Sequence, residues 1–130
     1  MPMTEIIPYL FYKDVPSALD WLARAFGFEE ERRDPTPSGM HASMLLDGQR
    51  IMMGQGGEQW RMGAPGADGT ASQGVFVYLS DVTSHCARAQ AAGATISQPL
   101  ADHGYGLTYT AHDLDGHPWF FTQAPGEAAS

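Results

Sequence analysis

Five histidines, one cysteine and a set of tyrosines and phenylalanines are the side chains of this chain with chemistry to offer. His41 and His112 fall on strand-like stretches, His85 on a helical one, His103 in a loop and His117 in a turn. A catalytic zinc ion usually takes three protein ligands, so two strand histidines fall short. Glu58, in the central loop, is the candidate third, although two dispersed histidines specify little. No metal, no cofactor and no catalytic residue is expected. Strand alternation places His41 at the mouth of any cavity, where an imidazole can bond a ligand or act as a base. His117 reads as a turn side chain bonded to backbone. Cys86 sits in a helical stretch with no partner motif and reads as a small buried hydrophobe. The chain shows no serine elbow and no phosphate-cradling glycine pattern ahead of a helix. Gly54-Gln55-Gly56-Gly57 reads as a lid hinge.

The aromatic residues carry more pattern. Side chains alternate across a strand, which puts Ile7, Tyr9 and Phe11 on one face and Ile6, Leu10 and Tyr12 on the other. The stretch from Gly74 divides the same way, into Gly74, Phe76 and Tyr78 against Val75, Val77 and Leu79. The aliphatic-rich registers are expected to pack under helices. The aromatic ones face a different medium, and rings on such a face bind by stacking and area burial.

The elements that position these residues form a repeat. Residues 5 to 33 read as a strand, a turn at Lys13-Asp14-Val15-Pro16-Ser17, a helix ALDWLARAF, Gly27 and a second strand. Residues 74 to 97 read likewise, through Asp81-Val82-Thr83-Ser84, a helix HCARAQAA and Gly93. Asp14 and Asp81 suit helix N-caps, Pro16 a first helical turn, and the two glycines left-handed C-terminal caps. Two further strands follow each unit: His41 to Asp47 with Gln49 to Gly54, and Leu107 to Asp113 with Pro118 to Gln123. Asp-Gly dipeptides sit in both hairpins. The chain therefore reads as one α+β domain of two βαβββ modules, 1–54 and 74–123. A central loop or lid spans 55–73, and a flexible tail spans 124–130.

Seven basic residues against fifteen acidic give a formal charge of −8, which repels the phosphates a nucleic-acid binder must neutralise. Anionic membrane is excluded as a partner on the same ground. No apolar stretch approaches the roughly 20 residues that cross a bilayer. A single cysteine permits no intrachain disulfide, and the first residues lack a signal-peptide pattern, so the expected location is the cytoplasm.

The duplicated modules, the Asp-Val start to each helix, Ala91-Ala92-Gly93-Ala94, and Asp113-Leu114-Asp115-Gly116-His117-Pro118-Trp119-Phe120-Phe121 resemble the vicinal oxygen chelate superfamily. This is the group of glyoxalases, extradiol dioxygenases, fosfomycin-resistance enzymes and bleomycin-resistance proteins. The resemblance implies a cupped eight-stranded mixed sheet with helices outside, and usually a homodimer. It also implies divalent-metal ligands on the inner strands. Here the corresponding positions hold Ile7, Gly74, Phe120 and Met52 or Met53, none with a lone pair suited to a hard ion. Several relatives carry an arginine where this chain has Leu107, and Arg50 and Arg61 read as solvent-facing.

The expectation is a metal-free binding protein that sequesters a largely apolar aromatic small molecule, as bleomycin-resistance members sequester an antibiotic. The alternative is a glyoxalase-like lyase, isomerase or dioxygenase with relocated ligands. The expected ligand-binding residues are Ile7, Tyr9, Phe11, His41, Met52, Phe76, Tyr78, Tyr109 and Phe120, with Trp60 and Met62 as a cover from the central loop. Met44, Met52, Met53 and Met62 add adaptable surface.

Overall fold

Two helix starts set the frame. The Asp81 carboxylate accepts the backbone N–H of Ser84 at 3.1 Å and the Ser84 hydroxyl at 2.8 Å, opening α2 (Val82–Ala91). Asp14 precedes α1 (Val15–Phe26) in extended backbone, but its carboxylate takes the Ser17 hydroxyl in place of a backbone amide. The expected cap therefore forms in full only at the second helix. Pro16 sits in the first turn of α1, and Gly27 closes it at φ 85°, a left-handed conformation that costs glycine little. Gly93 follows α2 at φ 90°, with Ala94 N–H donating to the Ala89 carbonyl at 3.0 Å.

The computed structural model describes residues 4–37, 39–57, 61–66, 70–102, 104 and 106–124. The eight expected strands are present as two four-stranded mixed sheets. The first contains β1 (Tyr9–Phe11), β2 (Glu29–Thr36), β3 (Gly39–Leu46) and β4 (Gln49–Gly54) in the order β1-β4-β3-β2. The second contains β5 (Val75–Leu79), β6 (Thr95–Asp102), β7 (Leu107–His112) and β8 (Pro118–Gln123) in the order β5-β8-β7-β6. The repeat thus holds at the level of pairing: β1 runs parallel to β4 and β5 parallel to β8, with Tyr9 beside Met52 and Phe76 beside Phe120. The chain divides into two compact units, Met1–Ala23 with Gly27–Ala64 and Arg24–Phe26 with Pro65–Ser130.

In the first unit, Asp47 and Gly48 both take positive φ, 49° and 81°, which is the backbone a two-residue hairpin between twisted strands requires. β1 is shorter than expected because Pro8 lacks an N–H. Its carbonyl still accepts from Met52 N–H at 3.0 Å, and Ile6, outside the strand, is exposed rather than packed. Leu10 and Tyr12 are buried as alternation requires. β2 runs through Pro35, and β6 through Pro99. Both are edge strands, where a missing ladder donor is tolerated.

The second unit is built on aromatic contacts. Phe121 has Phe26 at 4.8 Å, Tyr109 at 5.2 Å and Trp119 at 6.0 Å between ring centres, all four residues buried. The buried Asp113 carboxylate accepts the Trp119 indole N–H at 3.0 Å, and the backbone N–H groups of His117 at 3.0 Å and Asp115 at 3.2 Å. Among the described residues, no helix is long and apolar enough to cross a membrane.

Candidate functional site

The aromatic face of the first sheet borders a cavity of about 610 Å³, within the range of small-molecule sites. Tyr9 and Phe11 on β1 and His41 on β3 supply its rings. Tyr9 lies 4.9 Å from Phe11 and 5.5 Å from His41 between ring centres. Met40, Met62 and Pro37 add apolar wall, and Thr36, Gly54, Gln55 and Gly56 complete it. Among the described residues, no lining side chain carries a permanent charge. Gln55 ties the rim together: its Oε1 accepts Met40 N–H at 3.1 Å while its Nε2 donates to the Lys13 carbonyl at 3.2 Å. Gly57 N–H donates to the Met62 carbonyl at 3.0 Å and brings Met62 against the opening. Partial burial pushes the Tyr9 phenol above its ordinary value, so it stays a neutral hydrogen-bonding group at neutral pH. Neither the Tyr9 hydroxyl nor the His41 ring has a hydrogen-bond partner among the described residues.

Of the expected ligand residues, the cavity gathers Tyr9, Phe11, His41 and Met62. Ile7 and Met52 are half-buried and outside the lining, and Trp60 lies outside the described residues. Phe76, Tyr78 and Phe120 cluster on the second sheet, exposed by 49%, 60% and 36%. Phe76 stands 5.1 Å from Tyr78 and 6.4 Å from Phe120. Tyr109 is elsewhere than expected. It is fully buried, and its hydroxyl meets His85 Nδ1 at 2.6 Å. Met44 and Met53 are likewise buried, leaving Met40 as the second cavity methionine. Met40, Thr36 and Pro37 carry no sequence signal that marks them as lining, and Gln55 stands out only as part of the Gly54-Gln55-Gly56-Gly57 hinge. Only the bias of glycines around Gln55 toward a turn pointed near them.

Arg50 is not simply solvent-facing. It grips the Glu31 carboxylate through Nε and a terminal nitrogen, both at 2.8 Å, and reaches Glu5 at 2.7 Å. Those bonds, with the Ser43 hydroxyl at 2.8 Å, hold Glu31 down at about 2.

Residues 4–121 match the model of the Glyoxalase/Bleomycin resistance protein/Dioxygenase superfamily. The chain belongs to this superfamily. An uncharacterised protein of Mycobacterium bovis is 31% identical over 122 residues, covering 89% of this chain and 80% of the relative. The crystal structure of TioX from Micromonospora sp. ML1 is 37% identical, with a TM-score of 0.73 over 95% of this chain and 98% of that one. TnmS3, an antibiotic binding protein from Streptomyces sp. CB03234, shares the fold at 18% identity, with a TM-score of 0.76 over 95% and 98%.

The residues at the superfamily's metal positions do not fit a divalent ion. Ile7 and Met52 present hydrocarbon and thioether. Over Gly74 the Phe120 ring already fills the space: a Cβ there would stand 2.6 Å from Phe120 Cε2. No three His, Cys, Asp or Glu side chains converge among the described residues. His103 and Glu58 lie outside them.

His85 has structural work. Its Nε2 is 2.9 Å from the Phe26 carbonyl, which only accepts, so Nε2 carries the proton and Nδ1 accepts from Tyr109. Burial pushes its pKa below 6.5, aided by the nearby Arg88 charge and opposed by the Phe26 carbonyl. The unfolded chain therefore binds this proton more readily than the folded one. Stability is complete above pH 6.5 and falls as pH drops toward the folded value. The Glu31 contribution is lost only below about 4.5. Thermal unfolding followed from pH 8 to pH 5 is expected to show this loss in the wild type and a flatter profile in His85→Gln. Equal slopes in both would assign the effect to other groups.

Proposed function

We propose that the protein binds a largely apolar, aromatic small molecule in the cavity of its first module, without a metal, and so sequesters it. The observation that carries this reading is the lining itself: among the described residues, three rings, two methionines and no permanent charge around a space of about 610 Å³. Stacking and burial supply the affinity, and the Tyr9 hydroxyl and His41 imidazole supply direction. Phe76, Tyr78 and Phe120 stay in the proposal as a second aromatic surface, and Met62 as part of a lid drawn from residues 55–73. An antibiotic is a fitting ligand, given that the similar fold of TnmS3 belongs to an antibiotic binding protein. A homodimer in the cytoplasm completes the proposal.

The test is thermal unfolding against DNA-intercalating and peptide antibiotics, alongside thiol adducts of ketoaldehydes, with and without a chelator. A ligand held by the folded state raises the midpoint. The expected result is a shift with planar aromatic antibiotics that the chelator leaves unchanged. Shifts confined to the thiol adducts and abolished by chelation would make the protein a metal-dependent enzyme instead.

A further inference from the structure

Tyr9 does not stand up from β1. A Cβ built on Gly54 would lie 2.6 Å from the Tyr9 hydroxyl oxygen, but 3.4 and 3.5 Å from Tyr9 Cζ and Cε1. The first distance is a collision and the other two are ordinary contact. The phenol therefore lies down across β4, over backbone that is bare because residue 54 is glycine. A strand glycine commonly marks such a close approach. In this posture the Tyr9 ring bridges Phe11 and His41, at 4.9 and 5.5 Å with tilts of 45° and 42°.

We infer that Gly54 is the specificity-determining residue of the cavity: by letting the Tyr9 phenol lie over β4 it keeps open, beside the tilted rings of Phe11 and His41, a slot for a planar, fused-ring molecule. This rests on the reading of the cavity as a ligand site. Any larger residue at 54 tips the phenol up into the space the ligand needs. Because only the hydroxyl collides, Tyr9→Phe relieves the clash that Gly54→Ala creates. A merely structural glycine shows no such rescue.

Proflavine, a planar three-ring cation suited to an acidic protein, is the probe, and its fluorescence reports binding. Amantadine, a compact cation that is not planar, is the reference. The wild type is expected to bind proflavine in preference to amantadine. Gly54→Ala weakens proflavine binding about thirtyfold or more, Tyr9→Phe weakens it about threefold through loss of the orienting hydroxyl, and the double variant returns to within about twofold of Tyr9→Phe alone. Thermal midpoints are read on every variant. A Gly54→Ala chain that fails to fold while the double variant folds and binds supports the same clash. Wild-type protein that binds neither probe overturns the ligand-site reading, and this inference with it. Wild-type binding that survives Gly54→Ala unchanged, or a double variant that fails to fold or to recover binding, overturns the role of Gly54 alone. A wild type with no preference for proflavine overturns the planar class.

Discussion

Trp119→Ala is expected to cost about 3–5 kcal/mol, the range for deleting a large buried aromatic. Trp119 is fully enclosed, packs 5.4 Å from Phe26 and 6.0 Å from Phe121 between ring centres, and gives its indole N–H to Asp113. Truncation removes the contacts and leaves one oxygen of a buried carboxylate without that donor. Against a total stability of about 5–15 kcal/mol, this is a large fraction, and the thermal midpoint should fall by roughly 10–20 °C. Trp119→Phe keeps most of the ring and loses the hydrogen bond, so it is expected to cost about half as much. Asp113→Asn keeps an acceptor for the His117 and Asp115 amides and should fall between wild type and Trp119→Ala. Urea unfolding of the three variants orders them. A Trp119→Ala variant within about 1 kcal/mol of wild type would mean that the second unit does not depend on this cluster.

The same Asp113 shows how far the sequence speaks. The run Asp113 to Phe121 was legible as a turn and strand because Asp-Gly punctuates it, and the repeat of the two modules was legible because helix starts and stops use a small set of residues for mechanical reasons. What Asp113 does with its carboxylate was not legible, since its partners come from both the turn and the following strand. Alternation carried β1 and β5, where one face is covered and the other is not: Leu10 and Tyr12 are buried while Phe76 and Tyr78 are exposed. It failed on β7, where Thr108, Tyr109, Thr110 and Ala111 are all buried and the pattern holds no period. Alternation therefore places Tyr109 on a face the strand does not offer. The cavity rim was illegible for another reason. Gln55 matters through two backbone groups, on Met40 and Lys13, that are distant in sequence, and no local signal announces such a bond. Arg50 likewise finds Glu31 only once β4 and β2 flank β3 in the sheet.

Phe11→Ala is the corresponding experiment for function, and the expected result is a tenfold to hundredfold loss of proflavine affinity, or about 1.5–3 kcal/mol. Phe11 is placed to matter twice. Its ring flanks Tyr9 at 4.9 Å, and its edge supports the turn that carries Met62: a Cβ added to Gly56 would lie 3.0 Å from Phe11 Cδ1 and 2.4 Å from the Met62 carbonyl. Removing the ring takes away stacking surface and loosens the support beneath Gly56 and Met62, so a faster off-rate is expected to account for most of the lost affinity. The fold should tolerate the change, because Phe11 is only half-buried and the β1 to β4 ladder is made by backbone. Leu114→Ala, which trims an equally apolar but exposed side chain in the Asp113 turn, is the matched control and should leave binding unaltered. Proflavine bound as tightly by folded Phe11→Ala as by wild type would place the ligand elsewhere on the molecule. The exposed trio of Phe76, Tyr78 and Phe120 would then be the surface to truncate next.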